Sequence, residues 1–430
     1  MKIIYLHQYF TTPEMAGGTR SYEMARRLVN KGHEVHVVTS WREKTGFLAY
    51  TYPEGIHVHW VHIPYSNEMP YMRRILAFVK YCIWAGIKCF RLKGDLVFAT
   101  STPLTVAIPG VICGKLQRIP LVFEVRDLWP ALPIAMGAIK SKFLMGFTRR
   151  LERWAYLNSE VVVALSPGMK EGVVEAGISS DRVVVIPNSC DLNIFDVPIE
   201  RGLKFRSSRL WLQDRPLIIY TGTFGRINGV GYMVALAKEL LKIAPDIRIL
   251  LIGGGYDLLS ITRAAESAGV LNVNLFIEPA MPKSEIAGAL SAATISSSLF
   301  IDLPEMRVNS ANKFFDSLAS STPIIINYCG WQKTILERFD CGICSWDMSY
   351  EKAALLIKNR LSDNVWLLNA SLSAKNVAQE FFSRDELATR LELILRLAKD
   401  AHNKNYLDSR DQHHNIHPEI VREARANRYE

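Results

Sequence analysis

Short apolar runs recur along the first part of the chain, at residues 3–9, 34–39, 57–63, 96–99, 121–124 and 161–165. Runs of that length without strict alternation predict strands buried on both faces, as a parallel sheet requires. Between several of them, apolar residues recur at three- and four-residue spacing, at 19–30, 73–90, 105–116 and 141–157, which predicts amphipathic helices. The alternation specifies a doubly wound α/β sheet. The same pattern restarts after Arg215-Pro216, with strands at 217–221, 247–252, 273–277, 293–297 and 323–327 and helices at 230–243, 258–268, 283–290 and 312–320.

Two such units fit a length of 430 residues, since domains usually run to about 100–200. The joint carries Pro187-Asn188, Pro198 and the basic run 201–209. The expected division is an N-terminal domain 1–190, a second domain 191–375, and a segment 376–430. That last segment is expected to hold a helix returning toward the first domain, then a polar tail. Beyond about residue 399 the chain lacks core spacing, and it holds His402, His413, His414 and His417. A frayed helix or a disordered tail is expected there rather than a metal site.

A composition of 49% hydrophobic and 22% charged residues excludes a mostly disordered chain. The opening run MKIIYLHQYF reads as a first strand rather than a signal peptide, and no run reaches the length of a membrane span. The seven cysteines show no framework spacing and read as reduced cytosolic thiols. Cys341 and Cys344 form a CxxC, but without a second pair. No metal centre is expected.

Charge changes the picture more. The net charge is +9, yet residues 191–430 hold 28 basic and 28 acidic residues. Residues 1–190 hold 23 and 14, so the first half carries the whole excess and is expected to meet something anionic.

Ligands of open α/β sheets bind beyond the carboxyl ends of the strands. Three glycine loops fall there: Gly17-Gly18 before the first helix, Gly222-Thr223-Phe224-Gly225, and Gly253-Gly254-Gly255. Each can be a tight turn or a phosphate cradle at a helix N-terminus. None matches the dinucleotide or P-loop fingerprint, which disfavours nicotinamide and ATPase chemistry. Arg226 and Lys313 stand at helix starts and can grip a diphosphate, one as a bidentate fork and one as a point charge. Asp316, three residues after Lys313, can accept from a ribose diol or pair with Lys313.

Several ordered motifs carry a resemblance. They are the segment 17–39 (GGTRSYEMARRLVNKGHEVHVVT), Ala99-Thr-Ser-Thr-Pro103, Glu124-Val-Arg-Asp-Leu-Trp-Pro130, Val185-Ile-Pro-Asn188, and Asn309-Ser-Ala-Asn-Lys-Phe-Phe-Asp316 with Thr322-Pro323. From residue 1 to about 395 the chain resembles the retaining family 4 glycosyltransferases of GT-B fold. Within them it is similar to bacterial N-acetyl-L-fucosamine transferases of O-antigen and capsule synthesis. The resemblance implies two Rossmann-like domains facing across a cleft, and a UDP-sugar donor bound with no divalent metal or other cofactor. It places Gly17, Gly18, Gly222, Thr223, Gly225, Gly253, Gly254, Asn312 and Asp316 on the donor, with Arg226 and Lys313 on its diphosphate. Asp127 and Glu124 become candidates for orienting the acceptor hydroxyl or stabilising oxocarbenium charge, although Asp127 can equally cap a helix. His7, Arg20 and Arg126 fall on the acceptor side.

Departures from the family sharpen this reading. Of the family's Glu-x7-Glu pair, the positions here are Val308 and Asp316, so one carboxylate is missing and the other shortened. The Lys that often follows the family's Arg is replaced by Gly231 or Tyr232, leaving Lys313 as its substitute. Arg126 stands where a His often does, and no His occurs between residues 63 and 401. His7 is the one credible site histidine. A front-face reaction, in which the leaving phosphate takes the acceptor's proton, needs no strong protein base. There is no Asp-x-Asp either, so electrostatic stabilisation falls to Arg226, Lys313 and helix N-termini.

The excess charge then finds a place. Arg73, Arg74, Lys80, Lys88 and Arg91 share an arc of about 120° on one helix, and Arg149 with its neighbours does so on a second. Apolar residues interleave with both. Such helices read as membrane-surface binders or as core-packing helices with solvated faces. With the resemblance, the expectation is an undecaprenyl-diphosphate-linked sugar acceptor, and a cytoplasmic protein peripheral on the inner face of an anionic membrane. No nucleic-acid motif is present. The rival readings are a nucleotide-sugar epimerase of the same fold, and a noncatalytic basic protein binding membrane or nucleic acid.

Overall fold

The computed structural model describes residues 1–15, 17–41, 46–65, 69–408 and 422. His413, His414 and His417 lie outside them. The described residues divide into two compact units, 1–187 with 385–408 and 422, and 188–384.

The first unit runs β1 (Lys2–Leu6), α1 (Arg20–Asn30), β2 (Glu34–Trp41), β3 (Leu48–Thr51), β4 (His57–His62), α2 (Tyr71–Leu92), β5 (Leu96–Thr100), α3 (Ala107–Gln117), β6 (Leu121–Val125), α4 (Ala131–Ala135), α5 (Lys142–Leu157), β7 (Val161–Ala164), α6 (Pro167–Glu175) and β8 (Val183–Val185). Its sheet has the order β3-β4-β2-β1-β5-β6-β7-β8, with every pairing parallel except β3 on β4. The central strands are apolar on both faces because helices cover both. Ile3, Tyr5, Val35, Val37, Phe98, Val122 and Val163 all join one core.

The second unit runs α7 (Leu192–Phe195), α8 (Ile199–Ser207), β9 (Leu217–Thr223), α9 (Gly231–Ile243), β10 (Arg248–Gly254), α10 (Leu258–Ser267), β11 (Leu275–Glu278), α11 (Lys283–Ala292), β12 (Ile295–Ser298), α12 (Asn312–Ala319), β13 (Ile324–Ile326), α13 (Trp331–Phe339), β14 (Gly342–Cys344), α14 (Tyr350–Leu361) and α15 (Asn364–Phe381). Its all-parallel sheet has the order β11-β10-β9-β12-β13-β14. That is the doubly wound order, with the strand direction of winding reversing between β9 and β12. In the first unit the reversal falls between β1 and β5. Each unit therefore has one crevice position where a ligand is expected.

A last helix, α16 (Arg384–Asp408), belongs from its second residue to the first unit. Leu387, Leu391, Ile394, Leu395, Ala398 and Ala401 recur at helical spacing and enter the first unit's core. Beyond about 399, where a frayed helix or disorder without core residues is expected, the helix continues to Asp408 and buries Ala401.

Other departures have physical causes. β3 is a half-exposed edge strand with no apolar run, so the hydrophobic pattern does not reveal it. β12, expected at 293–297, is serine-rich: Ser296 Oγ donates to Pro323 O at 3.2 Å and Ser297 Oγ to Ile219 O at 3.0 Å, which satisfies these buried hydroxyls. No helix among the described residues is long and apolar enough to cross a membrane.

Candidate functional site

In the second unit, the turns after β9 and β10 are built against each other. Phe224 N donates to Gly254 O at 2.8 Å, and Asp257 N to Phe224 O at 2.9 Å. Gly222 and Gly253 make this close approach possible. Both have positive φ, and a Cβ on Gly253 would lie 1.9 Å from Gly222 O. The two glycine loops predicted separately are therefore one backbone surface at the reversal point.

Lys313, on the first turn of α12, reaches this surface. A Cβ on Gly222 would sit 2.8 Å from Lys313 Cε. The ammonium lies 5.1 Å from the Tyr220 ring centroid and 5.9 Å from that of Phe300. Burial pulls its pKa down to about 8, against the opposing pull of Asp316. Asn312 opens α12 beside it.

Arg226 follows the same turn and is exposed. Its guanidinium lies 4.6 Å from the Tyr256 ring centroid and donates to Tyr256 Oη at 2.9 Å. Tyr256 is a neighbour the sequence reading missed. Its position just after the third glycine loop is the only signal that points to it.

Asp316, one turn beyond Lys313, meets a different charge group. Burial raises its carboxyl to about 6; Lys283 and Arg384 oppose this, Asp191 adds to it, and Lys313 opposes it. Asp191 itself is paired, 3.1 Å from Lys283 Nζ and 2.8 Å from Arg384 Nε. Lys283, Asp191 and Arg384 come from three separated segments, which no sequence pattern connects.

In the first unit, the carboxyl ends of β1, β5 and β6 hold His7, Thr102, Arg126 and Asp127. Arg126 Nη1 lies 3.3 Å from His7 Nε2, and Arg126 N donates to Ser101 Oγ at 3.0 Å. Thr102 Oγ1 approaches Asp127 Oδ2 at 3.5 Å. Burial raises the Asp127 carboxyl above its ordinary value, although Arg126 and Thr102 oppose it. The alternative role of Asp127 as a helix cap is not realised, because α4 begins after Pro130 and has no side-chain cap. Gly17 and Gly18 are exposed ahead of α1, and Gly18 O accepts from Thr11 Oγ1 at 2.9 Å.

Arg20 and Glu124 require correction. They were expected at the acceptor and in catalysis, but both are internal. Arg20 Nε and Nη2 donate to Glu124 Oε1 at 3.1 and 2.8 Å, and its other donors reach Pro187 O and Ile186 O. Thr100 Oγ1 donates to Glu124 Oε2 at 2.7 Å. Burial alone raises the Glu124 carboxyl, but the Arg20 charge and hydrogen bonds, Arg126 and Thr100 outweigh it and hold it below its usual range. A carboxylate with both oxygens engaged and no exposure has nothing left to offer an acceptor.

Of the residues expected at a membrane, Arg73, Lys80, Arg91 and Arg149 are exposed, while Arg74 and Lys88 are half-buried. The buried face of α2 is narrow: Ala77, Tyr81, Ala85 and Cys89 pack inward, with Tyr81 Oη donating to Val38 O at 2.8 Å. The apolar residues on its other side do not pack. Met72, Leu76, Val79, Ile83, Ile87 and Phe90 are 47–72% exposed. A groove of about 440 Å³ between α2 and α3 continues this surface with Pro109, Ile112 and Leu116.

Among the described residues, one group has ligand atoms close enough to share a metal ion: Glu34, His36 and His57. It lies at the opposite, amino-terminal ends of β2 and β4 from the crevice.

Comparisons with known proteins agree with the two-unit α/β fold. Residues 16–189 match the family model described as a glycosyl transferase 4-like domain. The chain is 23% identical over 283 residues to the putative colanic acid biosynthesis glycosyl transferase WcaI of Escherichia coli K12, covering 62% of this chain and 69% of that protein. Among solved structures, sucrose-phosphate synthase from Thermosynechococcus elongatus superposes with a TM-score of 0.73 at 16% identity, covering 92% of this chain and 98% of that one. HepE of Anabaena, in complex with UDP-glucose, gives 0.67 at 15% identity, covering 92% and 99%. Residues 16–189 thus match a glycosyl transferase 4-like domain, in a chain whose two units have the fold of GT-B glycosyltransferases.

Proposed function

We propose that the chain is a retaining glycosyltransferase that moves a sugar from a UDP-linked donor to a lipid-diphosphate-linked saccharide, in bacterial surface polysaccharide synthesis. An acetamido-sugar such as N-acetyl-L-fucosamine is the donor sugar this reading favours. The observation that carries it is Lys313 lodged against Gly222 at the winding reversal of the second unit. A desolvated cation beside the exposed turn at Gly222 and Thr223 is suited to a diphosphate, whose charge grows as the glycosidic bond breaks.

In this reading, Lys313 and Arg226 hold the diphosphate, the glycine surface admits it closely, and Asp316 accepts from the ribose. The nucleotide named with HepE and the glycan synthesis named with WcaI point the same way. Lys313 and Arg226 supply the charge stabilisation, so transfer requires no divalent metal. The leaving phosphate oxygen takes the acceptor's proton, and Asp127 orients the hydroxyl with Arg126 and His7 beside it.

The acceptor's lipid explains α2. Exposed apolar residues interleaved with Arg73, Lys80 and Arg91 suit an anionic membrane surface better than a solvated face, which would be polar throughout. The protein then works at the inner face of the cytoplasmic membrane.

The test is a thermal-shift panel of nucleotide sugars and free nucleotides, followed by turnover with a polyprenyl-diphosphate saccharide. Stabilisation by UDP and its sugars, and UDP release that depends on the acceptor, are expected. Epimerised nucleotide sugar formed without acceptor would replace this reading with an epimerase.

A further inference from the structure

The outward face of β2 and β4 carries a histidine cluster that transfer chemistry does not use. Glu34 and His36 are two apart on β2, and His57 and His59 are two apart on β4, so each pair shares one face. Register places His36 opposite His57 and Val38 opposite His59. The alternate residues Val35, Val37, Val58 and Trp60 enter the core, which leaves the imidazoles together on the other side. The His36 ring stacks on His57, with centroids 4.4 Å apart, and on His59 at 5.3 Å.

From this arrangement we infer a transition-metal site of the zinc class, with Glu34, His36 and His57 as ligands and a fourth position open to water. Each of the three offers an atom within 4.8 Å of the other two. A tetrahedral ion with bonds of about 2.0–2.1 Å sets its ligand atoms roughly 3.4 Å apart, so a modest rotation of the exposed Glu34 and half-buried His57 side chains toward the buried His36 ring closes the site. His36 Nε2 already lies 2.7 Å from Glu34 Oε1, and the ion takes the place of the proton between them.

The surroundings supply what such ligands need. His36 Nδ1 lies 3.0 Å from His59 Nε2, and His57 Nδ1 lies 2.8 Å from Tyr50 Oη. Each ligating ring therefore has a partner on its second nitrogen, and with Nδ1–H donating to that partner Nε2 is free for metal. Imidazole with carboxylate favours zinc, nickel or copper over magnesium or calcium. Lys2, with Nζ 3.1 Å from Glu34 Oε1, is the competitor the ion must displace.

The location separates this site from the transfer reaction. Glu34 opens β2 and His57 opens β4, at the end of the sheet away from His7, Arg126 and Asp127. The ion would pin the amino-terminal ends of two neighbouring strands.

The experiment uses the full chain with His413, His414 and His417 replaced by alanine, so that the tail contributes nothing. The protein is stripped with chelator and titrated with Zn²⁺ by calorimetry and with Co²⁺ by visible absorption. One ion per chain is expected, with a cobalt spectrum lacking thiolate charge-transfer bands. His36→Ala and His57→Ala should abolish binding, Tyr50→Phe should weaken it by about tenfold, and Lys2→Ala should strengthen it. Circular dichroism checks that each variant is folded; if an alanine variant is not, Glu34→Gln takes its place. No stoichiometric binding to the starting protein, or binding that survives in folded His36→Ala and His57→Ala, overturns the proposal.

Discussion

Arg20 and Glu124, 104 positions apart in the chain, are joined by two hydrogen bonds to one carboxylate oxygen, at side-chain exposures of 1% and 0%. The guanidinium also ties the chain at Ile186 and Pro187 to the start of α1. Removing one member strands a buried charge, which typically costs about 3–5 kcal/mol, whereas replacing both by apolar residues is far milder. Glu124→Ala is therefore expected to lower the midpoint of chemical unfolding markedly, and Arg20→Met with Glu124→Leu to recover much of it. If Glu124→Ala keeps full stability and loses only turnover, the residue is catalytic after all.

Arg226→Ala and Lys313→Ala are each expected to lower kcat/KM by about 10²-fold, the scale of losing one preorganised charge or donor at a developing anion. Steady-state kinetics with a UDP-sugar reads the effect. Gly222→Ala should act on the same site indirectly, because its Cβ would press on Lys313 Cε. Its expected signature is weaker UDP binding in calorimetry.

The pKa of about 8 at Lys313 gives a pH dependence. The ammonium is present below that value and lost above it, so UDP affinity and kcat/KM should fall as pH rises through 8. A bound diphosphate favours the charged form, so the fall should be shifted upward in kcat. Lys313→Arg should remove the alkaline fall while keeping part of the affinity. A profile identical in the variant would assign the titration elsewhere.

Asp316 has an ordinary pKa of 3.8 and about 6 in the folded chain. Between those values the folded form holds more protons than the unfolded one. The group's stabilising contribution is then fully present below the lower value and lost as pH rises through the upper one. Asp316→Asn should melt higher than the parent protein at pH 7.5, with a gap that narrows toward pH 5. The same variant should bind UDP more weakly, since the ribose loses an acceptor. A rise in melting temperature without a loss of affinity would separate Asp316 from the donor.

On α2, Ile83→Glu with Ile87→Glu should abolish flotation with anionic vesicles of phosphatidylglycerol. Arg73→Gln with Arg91→Gln should weaken it most at low salt. Equal flotation of parent and variants, or none by the parent, would remove the membrane from the account.

What the sequence made legible follows from locality. Central strands such as 34–39 and 161–165 are visible because burial on both faces leaves them apolar throughout. The edge strand β3 is not, since its residues are half-exposed and follow no run. Lys313 and the glycine loops were readable because a strand-to-helix turn keeps them within a few residues of a strand end. The Arg20–Glu124 pair and the Asp191–Lys283–Arg384 group were not, because each joins residues from distant segments that only the winding of the sheet brings together. The sequence left α2 open between a core-packing and a surface-binding helix, and only the fold shows that Leu76, Ile83 and Phe90 are left uncovered.

The central claim is transfer from a UDP-linked sugar. The most direct measurement follows label from a panel of UDP-sugars into a polyprenyl-diphosphate saccharide, with the new linkage assigned by NMR. The account predicts acceptor-dependent transfer with the donor's anomeric configuration retained, and its loss in Lys313→Ala. Transfer with inversion, or folded protein that moves no sugar from any UDP donor, would contradict it.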